Sequence, residues 1–600
     1  MRGGASTAID ERPSRWPRAL GIAAVAVTVL HALWLSATRP FALDELTYAH
    51  QAFQIHSGLL PYRDFFAHHT PLLWQLTAPL HALVGSAPGF LAAVRWALVP
   101  VWLTQLALLY ALVRPFAGRA AVLAPLAASM FPVWLDHAIE LRPDPLATTA
   151  MLAAFWLLGR AGARRSPVAS AAAGALAVLA CWASPKAGVY GMGLGLAFVL
   201  SAVGRLLSWR RGAAVGGAAA AWFPAPTAFL AGVVAVLAAI GLWLAQRDLA
   251  EAFWRNAVQW PMAYESSYEG FPFWPRFRHH VYGLEAVLAI AAYGWLVLLA
   301  EVRTAGRVPA ESADAPVAAA RAATRLPLLA FLPLAVVSVA AQSAAYAYSY
   351  LPILAGVAAL FAIGVAHAAA QIRQHAPRWL PWAGALWVVL LLRVGVDTFG
   401  HHGRAGAEKR AQQFAVLHDL ERLVPPDVPV YDNTGQAVRR PAVHYYGFTN
   451  PWIRESTPEM LVREMPAAIR ERGCVAMLVD SVHGRLPPEL ERFLAETFQP
   501  WDGDIWLWGR HLRAATGEPG VHAHLEIVRD GHYRIVRAEG SQAEPVTIDA
   551  EVISGDRVAL TAGHHVVRTA ATEVYVLWEP ADGRPWRPRP GQRPRLFHVL

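Results

Sequence analysis

Cysteine and charge are both scarce in this 600-residue chain, which has 2 cysteines and only 16% charged residues against 55% hydrophobic ones. Its mean hydropathy is +0.32. Cys181 and Cys474 lie far apart, and Cys181 falls inside an apolar segment, which excludes a disulfide framework and a cysteine zinc cluster. So little charge with so much apolar residue excludes an ordinary soluble domain. No internal repeat and no long low-complexity tract is present, so the inverted repeats expected of many secondary transporters are missing. The formal charge is +9, but its arginines sit at the ends of apolar segments and do not form one stripe. That placement predicts membrane lipids, and no nucleic acid, as partners.

What the chain does have is a succession of apolar runs. A 19-residue window finds them at 19–37, 90–113, 120–135, 146–158, 168–183, 187–203, 228–245, 281–299, 326–341, 351–368 and 380–396. They predict a polytopic α-helical membrane protein of about eleven transmembrane helices. Arg2, Arg12, Arg15 and Arg18 precede the first run, and every second loop is again basic, with Arg114 and Arg119, then Arg160, Arg164 and Arg165, then Arg205, Arg210 and Arg211, then Arg303, Arg307, Arg321 and Arg325, then Arg373 and Arg378. This bias predicts a cytoplasmic N-terminus, residues 1–18, in a bacterial inner membrane. Counting 71–84 as a span would invert the bias, so this stretch is predicted as an interfacial or re-entrant helix within an outer loop, 38–89. The run 19–37 is long for a cleaved signal and reads as an anchor.

The membrane region is expected to end near residue 398. Beyond it, the polar helical pattern of "HHGRAGAEKRAQQFAVLHDLERLV", the strands "VPVYDN" and "CVAMLVDS" and the helical "PEMLVREMPAAIRERG" predict a small α/β domain at 399–512. Short alternating runs such as "HLEIV", "HYRIVRA" and "EVYVLW", separated by turn residues, predict a β-sandwich-like domain at 513–600. With an odd number of spans, both domains fall outside.

Ionisable residues beside a bilayer are costly and point to function. The stretch "FALDELTYAHQAFQIHSGLLPYRDFFAHHTPLLW", 41–74, follows the first run directly and carries Asp44, Glu45, Arg63, Asp64, His68 and His69. Arg142 and Asp144 in "IELRPDP", with Glu140 beside them, and Lys186 in "SPKAG" fall in loops expected on the same side. Each also has an ordinary structural use: Asp44 suits the N-cap of a helix starting at Glu45, Arg142 and Asp144 can pair across a proline turn, and Lys186 can snorkel. Adjacent histidines point in different directions, so His68 and His69 would need acids from elsewhere in the loop to hold a divalent metal. The segment 247–280 mixes aromatics with arginines, a composition suited to sugar rings and equally to a membrane interface.

An acidic pair after the first span, "GLLPYRDF" leading into "HHTPLL", and "RPD" before the fourth span together resemble the GT-C glycosyltransferases, in particular the protein O-mannosyltransferase and aminoarabinose transferase branch. The resemblance covers roughly 19–203 well, the later spans by pattern alone and the C-terminal regions hardly at all. It implies a sugar donor linked to polyprenyl phosphate and a glycan, lipid or protein acceptor on the outer face. In an inverting transfer of this kind a carboxylate takes the acceptor proton and cations hold the departing phosphate. Asp44 matches the family's essential loop aspartate and is expected as base, with Glu45 completing the acidic pair. Arg142 and Lys186 are expected at the phosphate, and Arg63, Asp64, His68, His69 and Asp144 at the donor or substrate; Arg276 and Arg278 are the alternative cations. His69 and Thr70 stand where some relatives have an acidic residue and a lysine. A transporter or flippase of lipid-linked sugars is the alternative reading.

Overall fold

The computed structural model describes residues 16–210, 223–267, 273–304, 315–401, 405–447, 451–479, 485–537 and 544–592. Arg2, Arg12, Arg15, Arg211 and Arg307 of the charge bias lie outside the described residues. The first ten helices are α1 (Trp16–Thr38), α2 (Leu43–His56), α3 (Leu72–Thr77), α4 (Leu80–Leu83), α5 (Ala87–Ala117), α6 (Leu123–Met130), α7 (Pro132–Ala138), α8 (Pro143–Arg164), α9 (Pro167–Ala183) and α10 (Ala187–Arg210). There follow α11 (Pro226–Gln246), α12 (Ala250–Phe253), α13 (Trp260–Ser267), α14 (Phe273–Val281), α15 (Glu285–Thr304), α16 (Ala315–Ala340), α17 (Leu351–His375) and α18 (Leu380–His401).

Each expected apolar run coincides with helix, but the helices are not uniform. Among the described residues, six stretches are long and apolar enough to cross a membrane: α5 through α6, α8, α11, α15, α16, and α17 with the short turn before it. Helices α1 and α2 form a further apolar pair, bent by 71°. The run 120–135 is not one straight helix, because Pro132 begins α7 and the residue before a proline is pushed out of helical conformation; Phe131 is extended, at φ −80° and ψ 119°. The stretch 71–84, expected as one helix, forms the short α3 and α4, neither long enough to span. On α18, Trp382, Leu386, Val388, Val389, Leu392 and Val396 are all exposed, an apolar face suited to lipid.

The spans meet where side chains are smallest. A Cβ added to Gly294 on α15 would lie 2.1 Å from the Leu360 carbonyl oxygen of α17, and one added to Gly364 would lie 2.4 Å from the Ile290 carbonyl oxygen. Such contact is the usual basis of close helix packing in lipid.

The C-terminal part contains α19 (Ala405–Leu423), α20 (Pro451–Ser456), α21 (Pro458–Glu471) and α22 (Pro488–Thr497). Its strands are β1 (Val430–Tyr431), β2 (Ala476–Leu478), β3 (Phe498–Pro500), β4 (Ile505–Arg513), β5 (Val521–Ile527), β6 (Gly531–Arg537), β7 (Val546–Ile548), β8 (Glu551–Ile553), β9 (Arg557–Leu560), β10 (Gly563–Thr569) and β11 (Glu573–Trp578). One sheet runs β1-β2-β4-β11-β6-β9, with β3 also on β4; the other runs β5-β10-β7-β8. Strand β4 pairs β2 and β3 through Ile505 to Trp508 and β11 through Gly509 to Arg513, so it links the helical and the all-strand portions. The expected boundary at 512/513 falls within this strand.

This part rests directly on the loop after α1, and one hydrophobic cluster runs from α2 and the start of α5 into the strands. Gln413 of α19 clasps the Phe41 backbone twice, accepting from its N–H at 2.8 Å and donating to its carbonyl at 2.9 Å. Glu421 accepts from the Ala87 N–H at 2.7 Å, the Phe66 N–H donates to the Tyr445 carbonyl at 2.8 Å, and Arg439 donates to the Val84 carbonyl at 2.6 Å.

Replacing Gly364 with leucine should force α15 and α17 apart and lower stability by about 1–3 kcal/mol or more, the range for overpacking. Thermal unfolding of the purified protein checks this; an unchanged midpoint would exclude the close approach.

Candidate active site

The site is built around the start of α2. Ala42 is extended at the helix N-terminus, and Glu45, at the third helical position, reaches back to accept the Ala42 N–H at 2.9 Å. Capping therefore falls to Glu45, and the Asp44 side chain points elsewhere. Glu45 is fully buried. Its Oε1 accepts from Arg95 Nε at 3.0 Å and from the Leu141 N–H at 3.1 Å, while its Oε2 accepts from Arg95 Nη2 at 2.6 Å. Arg95, equally buried on α5, also donates to the Pro40 carbonyl at 2.7 Å and lies 4.0 Å from the centre of the Phe41 ring.

Arg142 arrives from the far side of Leu141. Because Pro143 opens α8, Arg142 is extended at the helix N-terminus, at φ −142° and ψ 153°, and its side chain is released toward α2. Its Nη1 donates to Asp44 Oδ2 at 2.5 Å. The Arg142 side chain is 4% exposed and that of Asp44 33%, so the carboxylate is the accessible member of the pair. The guanidinium Nε lies 3.8 Å from Asp144 and 4.0 Å from Glu140, beyond hydrogen-bond range. Burial opposes the Arg142 charge, but its acidic neighbours, Asp44 first, outweigh it and hold its pKa well above the ordinary value.

A second cation enters from the α9–α10 junction. Lys186 donates from Nζ to Ser349 Oγ at 3.1 Å, and Nζ lies 5.0 Å from the centre of the Tyr348 ring. The Arg142 guanidinium carbon lies 3.3 Å from the centre of the same ring. Thus the junctions α1–α2, α7–α8, α9–α10 and α16–α17 gather at one end of the bundle. Behind them Glu140 joins Arg39 at 2.7 Å and His137 at 2.5 Å. Burial would raise the Glu140 pKa, but His137, Arg39 and Arg142 hold it well below the usual carboxylate range.

His68 and His69 line the same place. Their rings lie 4.0 Å apart, and His69 meets Tyr48 edge-on at 5.8 Å. Burial lowers the His68 pKa to about 4; the Asp44 charge opposes this and Lys186 adds to it. Burial lowers that of His69 well below its ordinary value, aided by His68, Lys186 and Arg142. Both rings are neutral near pH 7. Among the described residues no group of three or more histidines, cysteines, aspartates or glutamates is placed to hold a metal ion.

Two expected residues lie apart. Arg63 and Asp64 pair at 2.9 Å in an exposed turn, where Asp64 also accepts the Leu60 N–H at 2.8 Å. Asp64 closes its own loop. Arg276 sits on α14, whose Phe273 and His280 rings pack against Tyr350. A cavity of about 660 Å³ opens between α20, α21 and the start of α22, away from Asp44. Sequence reasoning missed Tyr348, Ser349, Tyr48 and Arg95. The only sequence mark of the first two is three tyrosines in five residues, Tyr346, Tyr348 and Tyr350.

The fold is similar to that of ArnT. ArnT from Cupriavidus metallidurans bound to undecaprenyl phosphate matches with a TM-score of 0.51 at 14% identity, over 82% of this chain and 98% of that one. Apo ArnT from the same organism gives 0.52 at 13% identity, over 82% and 97%. The oligosaccharyltransferase of Archaeoglobus fulgidus is a weaker likeness, with a TM-score of 0.47 at 13% identity over 84% and 74%. No family model matches the chain, and no curated protein matches it by sequence. The likeness covers nearly all of ArnT and shows a membrane fold like that of ArnT, with sheets in the C-terminal part.

Glu45→Gln should lower stability by about 3–5 kcal/mol, because it leaves the buried Arg95 charge without its partner. Asp44→Asn should cost far less; equal thermal shifts for the two variants would reject this division of roles. His68 gives a second expectation. Its folded pKa of about 4 lies below the unfolded value near 6.5, so its contribution to stability is complete above about pH 6.5 and is lost as pH falls through about 4. Nitrogen NMR of labelled histidine should find the His68 ring neutral at pH 6.

Proposed function

We propose that this chain is a membrane glycosyltransferase that moves a sugar from a polyprenyl-phosphate carrier to an acceptor on the outer face of the membrane, with inversion at the anomeric carbon. The observation that carries the reading is an accessible carboxylate, Asp44, held 2.5 Å from a buried arginine that shares the Tyr348 ring with Lys186. A base and a two-cation clamp meet at one point. The likeness to ArnT, one of whose structures holds undecaprenyl phosphate, supports a carrier of that chemical class.

In the proposed step the carrier phosphate takes the guanidinium of Arg142 and the ammonium of Lys186. Asp44, released from Arg142, accepts the proton of the acceptor hydroxyl. The acceptor oxygen bonds to the anomeric carbon as the anomeric C–O bond to phosphate breaks, and the electron pair leaves with the polyprenyl phosphate. Arg142 and Lys186 meet the negative charge that grows on the leaving oxygen. Glu45, fully committed to Arg95 and Leu141, acts here by positioning, and neutral His68 and His69 supply hydrogen bonds at the donor. The cytoplasmic N-terminus, the outer C-terminal domains and the count of eleven spans belong to the same proposal and rest on the arginine bias.

Asp44→Asn should retain binding of undecaprenyl phosphate and lose two to four orders of magnitude in transfer rate, roughly what a positioned base contributes. Arg142→Ala should lose about two to three orders, as when one preorganised donor is removed. The check is transfer from an undecaprenyl-phosphate-linked sugar by purified protein in detergent. An undiminished rate for Asp44→Asn would end its assignment as base, and movement of the lipid-linked sugar across vesicles without transfer would favour a flippase.

A further inference from the structure

The α16–α17 junction does more than present the Tyr348 ring. Gln342, just past the end of α16, and Ser349, just before α17, meet across the turn between these helices, where Ser349 Oγ donates to Gln342 Oε1 at 2.9 Å. Gln342 Nε2 donates in turn to the Ser338 carbonyl at 2.8 Å, in the last turn of α16. Ser338 Oγ reaches the Lys186 carbonyl at 3.4 Å, a longer contact, and Lys186 Nζ closes the ring by donating to Ser349 Oγ at 3.1 Å. Both serines are buried, Ser349 at 3% exposure and Ser338 at 6%. One lysine is therefore tied to one junction at its backbone and at its head.

The ring has a fixed sense. A carbonyl oxygen only accepts, so the Ser338 carbonyl requires the amide nitrogen of Gln342 and turns Oε1 toward Ser349. The amide oxygen also only accepts, so the single Ser349 proton goes to Gln342 and lone pairs of Oγ are left facing Nζ. Ser349 is thereby held as an acceptor for the lysine head, and a hydrogen bond from an ammonium is of the stronger kind. A lysine is a compact charge on a flexible four-carbon stem, whose bearing must be set from outside. A merely structural tie between the α9–α10 and α16–α17 junctions is already present in Ser338 and the Lys186 carbonyl. The Gln342–Ser349 branch ends on the head instead.

We propose that Ser349 and Gln342 are positioning residues for Lys186, holding its head as a donor beside the Tyr348 ring, on the bearing from which it meets the carrier phosphate. The proposal rests on the glycosyltransferase reading and adds to it two residues that act only through the lysine. Polar networks whose members all find partners are rigid, and preorganised donors are the ones that stabilise a developing charge.

The test has one arm without the carrier and one with it. The chain has only two lysines, Lys186 and the exposed Lys409 of α19, so nitrogen NMR of lysine-labelled full-length protein gives two Nζ signals, which Lys409→Arg assigns. Ser349→Ala and Gln342→Leu should each shift the Lys186 signal and leave that of Lys409 in place. In calorimetric titration with undecaprenyl phosphate, Lys186→Met should weaken binding about tenfold, as for one lost hydrogen bond to a charged group. Ser349→Ala and Gln342→Leu should each weaken it about three- to tenfold with Lys186 present and not further in the Lys186→Met background, the mark of residues that act through one partner. An unmoved Lys186 signal in both variants would overturn the proposal, and so would losses of affinity that are the same with and without the lysine. A shifted signal together with undiminished carrier binding by Lys186→Met would instead reject the phosphate reading of Lys186, and the positioning role with it.

Discussion

A single buried carboxylate organises the candidate active site. Glu45 receives the backbone of its own helix start, two nitrogens of Arg95 and the N–H of Leu141. Asp44 is the residue before Glu45, and Arg142 is the residue after Leu141. One side chain therefore fixes both partners of the Asp44–Arg142 pair through their immediate chain neighbours. Burying two charges costs several kcal/mol, which is offset only when geometry and hydrogen bonding are good, as they are here. That cost purchases position: the exposed carboxylate and the buried guanidinium sit on rigid backbone although they come from segments almost 100 residues apart.

The shared Tyr348 ring addresses a different constraint. Arg142 and Lys186, two like charges brought toward one ring, repel each other. The negative face of an aromatic ring attracts both, and Tyr348 lies 3.3 Å from the Arg142 guanidinium carbon and 5.0 Å from Lys186 Nζ. Asp44 and Asp144 supply formal negative charge nearby. At the opposite end of the bundle Glu301 pairs with Arg321 at 2.6 Å and Arg325 at 3.3 Å, so one carboxylate bridges two arginines there.

Much of this was legible in the amino-acid order, and the failures have physical causes. Apolar period and length marked the helices, and alternation marked strands such as β5 and β6. Ionisable residues next to apolar runs marked Asp44, Arg142 and Lys186, because charge near lipid needs a reason. The same logic also marked Arg63 and Asp64, which pair within one exposed turn, a local event that spacing cannot separate from a site. Arg95 passed unnoticed inside an apolar run, though an arginine there was itself a signal that some carboxylate must meet it. Tyr348 left no such trace, since a tyrosine at a membrane interface is ordinary and only the folded junction brings it beneath two cations.

The clasp between the first loop and the C-terminal part has a temporal consequence. Gln413 holds Phe41 across 372 residues of sequence, Thr434 meets Thr47 across 387, and Arg439 meets Val84 across 355. A ribosome adding 5–20 residues per second makes Asp44 roughly 20 to 75 s before the segments that seat it. Throughout that interval the loop after α1 lacks its contacts to the C-terminal part. The loop after α1 is thus among the last parts of the molecule to gain all its contacts, and a chain interrupted anywhere before α19 carries Phe41, Thr47 and Val84 without these partners.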